Sequence, residues 1–262
     1  MKAKTKNKVI ANIASRVLSN MNRDERIVRG LLDTNADSVP KRLLLVATPF
    51  ILKKACGRLK HAHSHGRVTT GVYMDNQVGV VDTGMGAPSA AMVMEAVVRT
   101  RPILVLRADV CGGLGAAQKV GDAFLANDAL VGDGCGSAYF GLETRVASHR
   151  GLTDYVSAQV EKRGLSVHEG AMWTTDIFLG QTKELLQNWI AKGASGVDME
   201  SSVILGISGK TAIPAASLNC ISDMPAIGFG PFDSDRIAPE FFSGLDSVID
   251  AALATVALWH PS

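Results

Sequence analysis

The sequence has no strong charge imbalance and no long hydrophobic run. Its formal net charge is +2 over 262 residues, so electrostatics gives no reason to expect nucleic acid as a partner. No uninterrupted apolar stretch reaches the roughly 18 residues that a membrane-spanning helix needs, so no membrane is expected either. With 47% hydrophobic and 20% charged residues, the composition is that of an ordinary globular protein with a sizeable core.

Paired cysteines are also missing. The four cysteines are far apart in the sequence and form no C-x-x-C motif: Cys56, Cys111, Cys135 and Cys220. This spacing is not that of a zinc site or of a dense disulfide framework. It favours a reducing, cytoplasmic location.

Acidic residues are absent from residues 1–23, which carry six basic residues. The apolar residues of this segment recur at helical spacing, which predicts a basic amphipathic helix added to the domain. An organelle transit peptide has a similar composition, so import into an organelle is the alternative. Because the chain shows no internal repeat and no linker beyond residue 40, we predict a basic helical extension over residues 1–40 and one domain over residues 41–262.

Strand and helix patterns alternate along the rest of the chain. Apolar runs predict buried strands at 42–48, 103–110, 122–132 and 213–223, and periodic segments predict helices at 151–163, 180–192, 199–209 and 239–259. Such alternation predicts a single-domain α/β/α layered fold with a mixed, mostly parallel central sheet. Ligands of such sheets bind at the carboxyl ends of the strands.

Candidate ligand-binding residues lie at the ends of three strands. Gly84 and Gly86 lie between a strand and a helix, where they serve either a tight turn or the close approach of a ligand. Arg107 ends a very apolar strand, and an arginine there is either paired, with Asp109 as the partner, or directed into a pocket. Asp223 ends another strand, where it is either a turn residue or, if partly desolvated, a general acid.

The segment GVDMESSVILG (196–206) places two acids, Asp198 and Glu200, at the start of a predicted buried helix. Charged groups are costly to bury without partners. Either the acids stabilise the N-terminus of the helix through its dipole, or they bind a polar ligand.

Five short motifs occur in one order: GMGAPS, R-x-x-x-CGGL, VGD, GVDMESS and ISD. Together they resemble the nucleoside phosphorylase family, which includes purine nucleoside phosphorylases, uridine phosphorylases and related nucleosidases. The resemblance covers about residues 42 to 259 and leaves the N-terminal 40 residues outside it. It implies a nucleoside phosphorylase-like fold for the catalytic domain and cleavage of the N-ribosidic bond of a nucleoside, giving free base and ribose 1-phosphate.

The resemblance implies roles for residues on the sugar side. Glu200 would accept hydrogen bonds from the 2′- and 3′-hydroxyls of ribose, since two carboxylate oxygens can meet two adjacent donors. Met199 would pack on the sugar, Met85 would contact the substrate, and Asp198 is expected at the rim of the site.

On the base side, the resemblance implies that Asp223 protonates N7 of a purine, so that the base leaves neutral. Arg236, 13 residues further on, would position that acid, or else be a surface arginine of the last helix. Trp173 would stack on the base, or else be a core tryptophan. A purine is favoured, but Gln181 and Lys183 lie near the place where uridine phosphorylases recognise a pyrimidine.

The phosphate site departs from the family pattern. Arg107 and Gly84 match phosphate-binding positions, whereas Ala47, Ile51 and Val110 replace a glycine, an arginine and a serine or threonine. A phosphate dianion needs several donors to be held out of water. Because Arg107 is kept, phosphorolysis is the expected reaction, and hydrolysis by water and nucleoside binding without turnover are the alternatives.

The segment KHAHSHGR contains three histidines, His61, His63 and His65, which would share one face if the segment were a strand. A solvated loop, an anion contact and a metal site are the alternatives, and no nearby cysteine or acid completes a metal site. No metal and no cofactor are expected, apart from inorganic phosphate as co-substrate. By resemblance the partner is a small-molecule nucleoside, and a homodimer or higher homo-oligomer with shared active sites is expected.

Overall fold

The structure is a computed structural model, and it describes Asn7, Ser15 and residues 18–228, 230 and 238–261. Most of the basic helix predicted at 1–23 therefore lies outside the described residues. The described strands all belong to one sheet.

The elements are numbered here in chain order. The strands are β1 (Arg42–Val46), β2 (Lys60–His65), β3 (Val68–Tyr73), β4 (Asn76–Asp82), β5 (Leu104–Gly113), β6 (Ala123–Val131), β7 (Arg145–Ala147), β8 (Val167–Thr174), β9 (Ala194–Asp198) and β10 (Ala215–Asp223). The helices are α1 (Arg23–Leu32), α2 (Pro49–Cys56), α3 (Ala87–Val97), α4 (Gly134–Phe140), α5 (Arg150–Glu161), α6 (Lys183–Ala191), α7 (Ser201–Lys210) and α8 (Pro239–Leu258).

The sheet is mixed, and part of it closes on itself. Parallel pairing joins β1 to β4 and β5, β5 to β10, and β8 to β6 and β9. The pairs β10–β6, β5–β9, β6–β7 and β2–β3–β4 are antiparallel. The strands β5, β10, β6, β8 and β9 thus form a closed ring of pairings, and β1, β4, β3 and β2 extend it to an open edge.

Two apolar cores cover the two faces of the sheet. Successive side chains of β1 point to opposite faces of the sheet, so Leu43 belongs to one core and Leu44 to the other. The first core is shared with α1, α3 and α7, and the second with α2, α5 and α8. Strands covered on both faces are mostly apolar, as β1 is: it is buried throughout, and Arg42 is its one polar residue. This arrangement confirms the predicted α/β/α fold with a mixed central sheet.

Helix α8 has the length and composition of a membrane-spanning helix, although its sequence includes acidic residues. In this fold, however, 61% of its most apolar window is buried, as in the core helix of a globular protein. Arg42 of β1 donates to the carbonyl oxygens of Val256 and Trp259, at 3.0 and 2.7 Å. A cation is favourable at a helix C-terminus, so these bonds tie the end of α8 to the sheet.

Helix α1 lies in the predicted N-terminal extension and packs against the rest of the fold. It starts with a capping box, in which Asn22 and Glu25 exchange side chain-to-backbone hydrogen bonds of 2.9 Å. Val28 and Leu32 of this helix are fully buried in the core. The domain boundary at residue 40 stays a prediction.

Candidate active site

A buried arginine lies at the centre of the candidate site. Arg107 of β5 is only 2% exposed. Its Nη2 donates to Oε2 of Glu200 at 2.6 Å, and its Nη1 donates to Oδ1 of Asn219 and lies 3.3 Å from Oδ2 of Asp198. Burial alone would lower the pKa of Arg107, but the nearby carboxylates outweigh burial and raise it. The guanidinium is therefore charged and held by two acids.

Glu200 faces both the arginine and the glycine turn. It is the N-cap residue of α7, but its side chain makes no capping bond. Instead Oε1 accepts a hydrogen bond of 2.7 Å from the backbone N–H of Gly86, while Oε2 binds Arg107. Burial raises the pKa of Glu200 to about 6, with Arg107 opposing that rise and Asp198 adding to it. Met199 is half-buried between the two acids, and its contact with the sugar stays a prediction.

Asp198 takes the capping role at the same turn. Its Oδ2 accepts from the backbone N–H of Ser201 at 3.1 Å, and its Oδ1 accepts from Oγ1 of Thr174 at 2.8 Å. The expectation that Asp198 lies at the rim of the site is wrong, because its side chain is fully buried. The two acids thus divide the roles that the sequence left open: Asp198 stabilises the start of α7, and Glu200 faces the site.

The turn after β4 closes the site on another side. Gly84 has a φ of +63°, and a Cβ there would lie 2.6 Å from Oγ of Ser89, so the turn requires glycine. The N–H of Gly84 donates to Oδ1 of Asp82 at 2.8 Å, so this amide is already bonded within the turn. Its phosphate contact stays a prediction. Met85 is 69% exposed, and its contact with the substrate stays a prediction.

Asp223 lies at the carboxyl end of β10, beside Gly112 of β5. It is 7% exposed, and Oγ of Ser222 donates to its Oδ1. A Cβ on Gly112 would lie 2.9 Å from Val197 and 3.2 Å from Oδ2 of Asp223. The glycine therefore leaves room for the acid next to the end of β9. Arg236 lies outside the described residues, so its role stays a prediction.

A cavity of about 550 Å³ lies beside the end of β10, within the usual range for small-ligand sites. Residues 225–226, which closely follow Asp223, form one wall, and the segment leading into α6 forms another. Nε2 of Gln181 donates to the carbonyl oxygen of Ile177, whereas its Oε1 is buried without a partner among the described residues. Lys183 lines the same cavity, so both residues noted for pyrimidine recognition lie there.

Trp173 packs as a core residue. It is 5% exposed and stacks on Trp189, with ring centroids 5.6 Å apart. A Cβ on Gly132 would lie 2.3 Å from the indole ring, so that glycine allows the tryptophan to pack tightly. Trp173 is therefore placed as a core tryptophan, one of the two alternatives, and its stacking on a base stays a prediction.

Asp109 does not pair with Arg107. Its Oδ2 accepts from the backbone N–H groups of Ala47 and Thr48, at 2.6 and 3.0 Å. Its Oδ1 accepts from Oγ1 of Thr48 at 2.6 Å and from the backbone N–H of Val110 at 2.9 Å. The alternative in which Asp109 is the partner of Arg107 is therefore wrong. Asp109 instead binds the turn that connects β1 to α2.

The three histidines lie on strand β2. Strand β2 is exposed throughout and forms the outer edge of the sheet, so it is a strand and not a loop. The rings of His63 and His65 meet edge-on, with centroids 4.6 Å apart. A shift of register between Lys60 and His63 breaks the expected alternation with His61. In the part of the chain that the structure describes, no group of three or more His, Cys, Asp or Glu could hold a metal ion.

The sequence matches the family described as the phosphorylase superfamily over residues 41–241. This range includes Arg107, Glu200 and Asp223. The chain belongs to the phosphorylase superfamily.

Individual members of the phosphorylase superfamily are related to the chain at low identity. A guanosine phosphorylase of Halorubrum lacusprofundi is 26% identical over 176 residues, which are 66% of this chain and 73% of that protein. A DeoD-type purine nucleoside phosphorylase of Clostridium beijerinckii is 29% identical over 157 residues, 59% of this chain and 66% of that protein. The crystal structure of uridine phosphorylase from Vibrio fischeri ES114 has a TM-score of 0.75 at 20% identity, covering 84% of this chain and 93% of that one.

Membership in the phosphorylase superfamily supports an enzyme that acts on nucleosides. The relatives are named for guanosine, for purine nucleosides and for uridine. These names differ in the base, so they leave the base open.

Proposed function

We propose that this chain cleaves the N-ribosidic bond of a nucleoside, with a purine nucleoside as the favoured substrate. The observation that carries the proposal is the placement of two buried acids, Glu200 and Asp223, at the ends of β9 and β10, which both pair with β5 at Gly112. In the reaction the bond between C1′ and the base nitrogen breaks, an oxygen nucleophile forms a new bond to C1′, and a proton passes to the base.

Glu200 is suited to bind the two hydroxyls of ribose. Each of its oxygens is held by one donor, Gly86 on one side and Arg107 on the other, and a carboxylate oxygen has a second lone pair for a further donor. Above about pH 6 the group is charged, and hydrogen bonds to a charged acceptor are the stronger ones.

The cavity beside Asp223 is the proposed place of the base. Asp223 precedes the wall residue Pro225 by two positions, and a carboxylic acid that reaches the base can give a proton to a purine nitrogen, so that the base leaves neutral. A pyrimidine nucleoside is the second candidate, because Gln181 and Lys183 offer an amide and a cation to the edge of a base in the same cavity.

Two oxygen nucleophiles are candidates. Phosphate is expected from the sequence, and Nε of Arg107 is a buried donor without a partner among the described residues. Water is the alternative, and it is favoured by the contacts of Arg107 with Glu200 and Asp198, which already offset the positive charge that a phosphate would use.

A panel of purine and pyrimidine nucleosides, assayed with and without phosphate, tests the proposal. We expect release of free base from at least one purine nucleoside, accompanied by ribose 1-phosphate in phosphorolysis or by free ribose in hydrolysis. If nucleosides bind but no base is released in either buffer, the chain is a nucleoside-binding protein without turnover and the proposal fails.

The first prediction concerns Glu200. We expect Glu200→Gln to lower kcat/KM roughly 10- to 150-fold, which corresponds to the ~1.5–3 kcal/mol of a charged hydrogen bond. In the parent enzyme, kcat/KM should also fall as the pH drops through about 6, because Glu200 then becomes protonated and loses its charge. Kinetic measurements across this pH range check both effects.

A matched control for this variant is Glu161→Gln, which removes an exposed acid at the end of α5. It should leave kcat/KM and its pH dependence unchanged. If Glu200→Gln keeps full activity, or if its kcat/KM still falls near pH 6 as that of the parent does, Glu200 is not part of the site.

Other expectations from the resemblance stay predictions. They are assembly into a homodimer or higher homo-oligomer with shared active sites, a cytoplasmic location, and a reaction that needs no cofactor, with inorganic phosphate as co-substrate if the chain is a phosphorylase.

A further inference from the structure

The turn between β1 and α2 has the features of an anion-binding site. It lies at the carboxyl end of a buried parallel strand and at the start of an eight-residue helix, where backbone N–H groups and the helix dipole favour negative charge. The backbone N–H groups of Ala47 and Thr48 and the hydroxyl of Thr48 converge on one position.

The anion at that position belongs to the chain itself. The carboxylate of Asp109 accepts all three of these hydrogen bonds and a fourth from the N–H of Val110, at 2.6–3.0 Å. A carboxylate has about four lone-pair positions, so these donors use its full capacity. Asp109 is also only 1% exposed, which leaves little of it open to solvent.

The charge of the neighbourhood opposes a second anion. Arg107 and the three acids that act on it, Asp109, Asp198 and Glu200, carry one positive and, when ionised, three negative charges, a formal sum of −2 for these four groups. Like charges repel strongly in a buried site, because the effective dielectric constant there is lower than in water. A phosphate dianion would therefore meet a cluster of the same sign.

We infer that Asp109 occupies the place of an inorganic phosphate in this turn, so that the ribosyl group passes to water. The inference rests on the proposed function and deepens it by naming the nucleophile. The oxygen of water bonds to C1′ as the bond to the base breaks. One proton of that water stays on the new hydroxyl, and the other restores the acid that protonated the base, so the products are free base and free ribose.

The first test uses the parent protein and inorganic phosphate alone. Thermal unfolding is followed while phosphate is titrated, with sodium chloride at matched ionic strength as the reference. We expect phosphate to raise Tm no more than chloride does. A saturable rise of roughly 5–10 °C at ~100 times the Kd, the size expected for a ligand that binds the native state, would overturn the inference.

The second test empties the turn. Asp109→Ala should have a lower Tm than the parent and should bind phosphate about tenfold or more tightly, because the four donors lose their acceptor and the site loses a negative charge. Asp109→Asn keeps the size of the side chain and therefore still fills the turn, so we expect no phosphate binding. Its NH2 group cannot accept a hydrogen bond, so this variant also loses some of the bonds that Asp109 makes. If both variants bind phosphate no better than the parent does, or if the parent binds it best, the inference is wrong.

A matched control separates phosphate binding from general rescue of an unstable protein. Asp133 is another buried aspartate that caps a helix, since its carboxylate accepts from Gly136 at the start of α4 and from Ser202. Asp133→Ala should lower Tm as well, but phosphate should not restore it. Recovery of this variant by phosphate would mean that the effect is not specific to the turn.

The products distinguish this inference from the proposed function. With a cleaved nucleoside, we expect free ribose at the same rate with and without phosphate, and incorporation of ¹⁸O from labelled water at C1′. Formation of ribose 1-phosphate would overturn the inference and leave bond cleavage intact. If no nucleoside is cleaved, the proposed function fails, whereas the phosphate titrations still decide whether Asp109 blocks the turn.

Discussion

Replacing Arg107 by alanine should lower the free energy of unfolding by about 3–5 kcal/mol, because it leaves two buried carboxylates without their counter-charge. Glu200 would lose its contact of 2.6 Å and Asp198 its contact of 3.3 Å. Both side chains are at most 5% exposed, so water cannot readily replace the guanidinium. Urea-induced unfolding, read from the shift of the midpoint at constant m, measures the effect.

The pH dependence of this variant gives a second readout. As pH falls, protonation removes the buried negative charge of Glu200, so the deficit relative to the parent should shrink. The pKa of Glu200 is already raised to about 6 with Arg107 in place. Loss of that opposing cation should raise it further, so that the deficit shrinks even at a pH above 6.

A surface ion pair provides the control. Arg145 lies 2.8 Å from Asp128, but the side chain of Arg145 is 47% exposed, and exposed pairs contribute little. Arg145→Ala should therefore change the free energy of unfolding by no more than about 1 kcal/mol. If Arg107→Ala were equally mild, the arginine would not be neutralising Glu200 and Asp198 as its contacts indicate.

Most of the layered fold was predictable because its elements have strong local patterns. Strand β1 is apolar from Leu43 to Val46, and the helix expected at 199–209 is α7 at Ser201–Lys210. Strands β8 and β9 were not predicted. The sequence of β9, ASGVD, is short and contains a glycine, which weakens a strand pattern. Its place depends on pairing with β5 and β8, which local sequence does not specify.

The sequence singled out several of the site residues, but it did not show which of them contact each other. Glu200 and Arg107 stand out as charged residues in apolar surroundings, but their contact joins β5 to the turn after β9, 93 residues away. Pairing of Asp109 with Arg107 was one of two alternatives, and Asp109 binds the turn after β1 instead. Asn219, which also binds Arg107, was missed, although a polar residue within the buried strand AASLNCISD was a usable signal.

Asp223→Asn should lower the cleavage of an ordinary purine nucleoside by about 10²–10⁴-fold, the usual contribution of a general acid. The reason is that an amide cannot supply the proton that lets the base leave neutral. A nucleoside methylated at N7 of the purine needs no such proton, because its base already carries a positive charge and leaves as a neutral molecule. Its cleavage by Asp223→Asn should therefore stay within about tenfold of the parent rate.

The comparison of the two substrates separates acid catalysis from a structural role. Asp223 is buried beside Gly112 and accepts a hydrogen bond from Ser222, so a substitution that disturbed the end of β10 would slow both substrates alike. Asp154→Asn, which changes an exposed acid on α5, should affect neither substrate. If Asp223→Asn loses the same factor on the methylated and the ordinary nucleoside, Asp223 holds the site together and does not donate the proton.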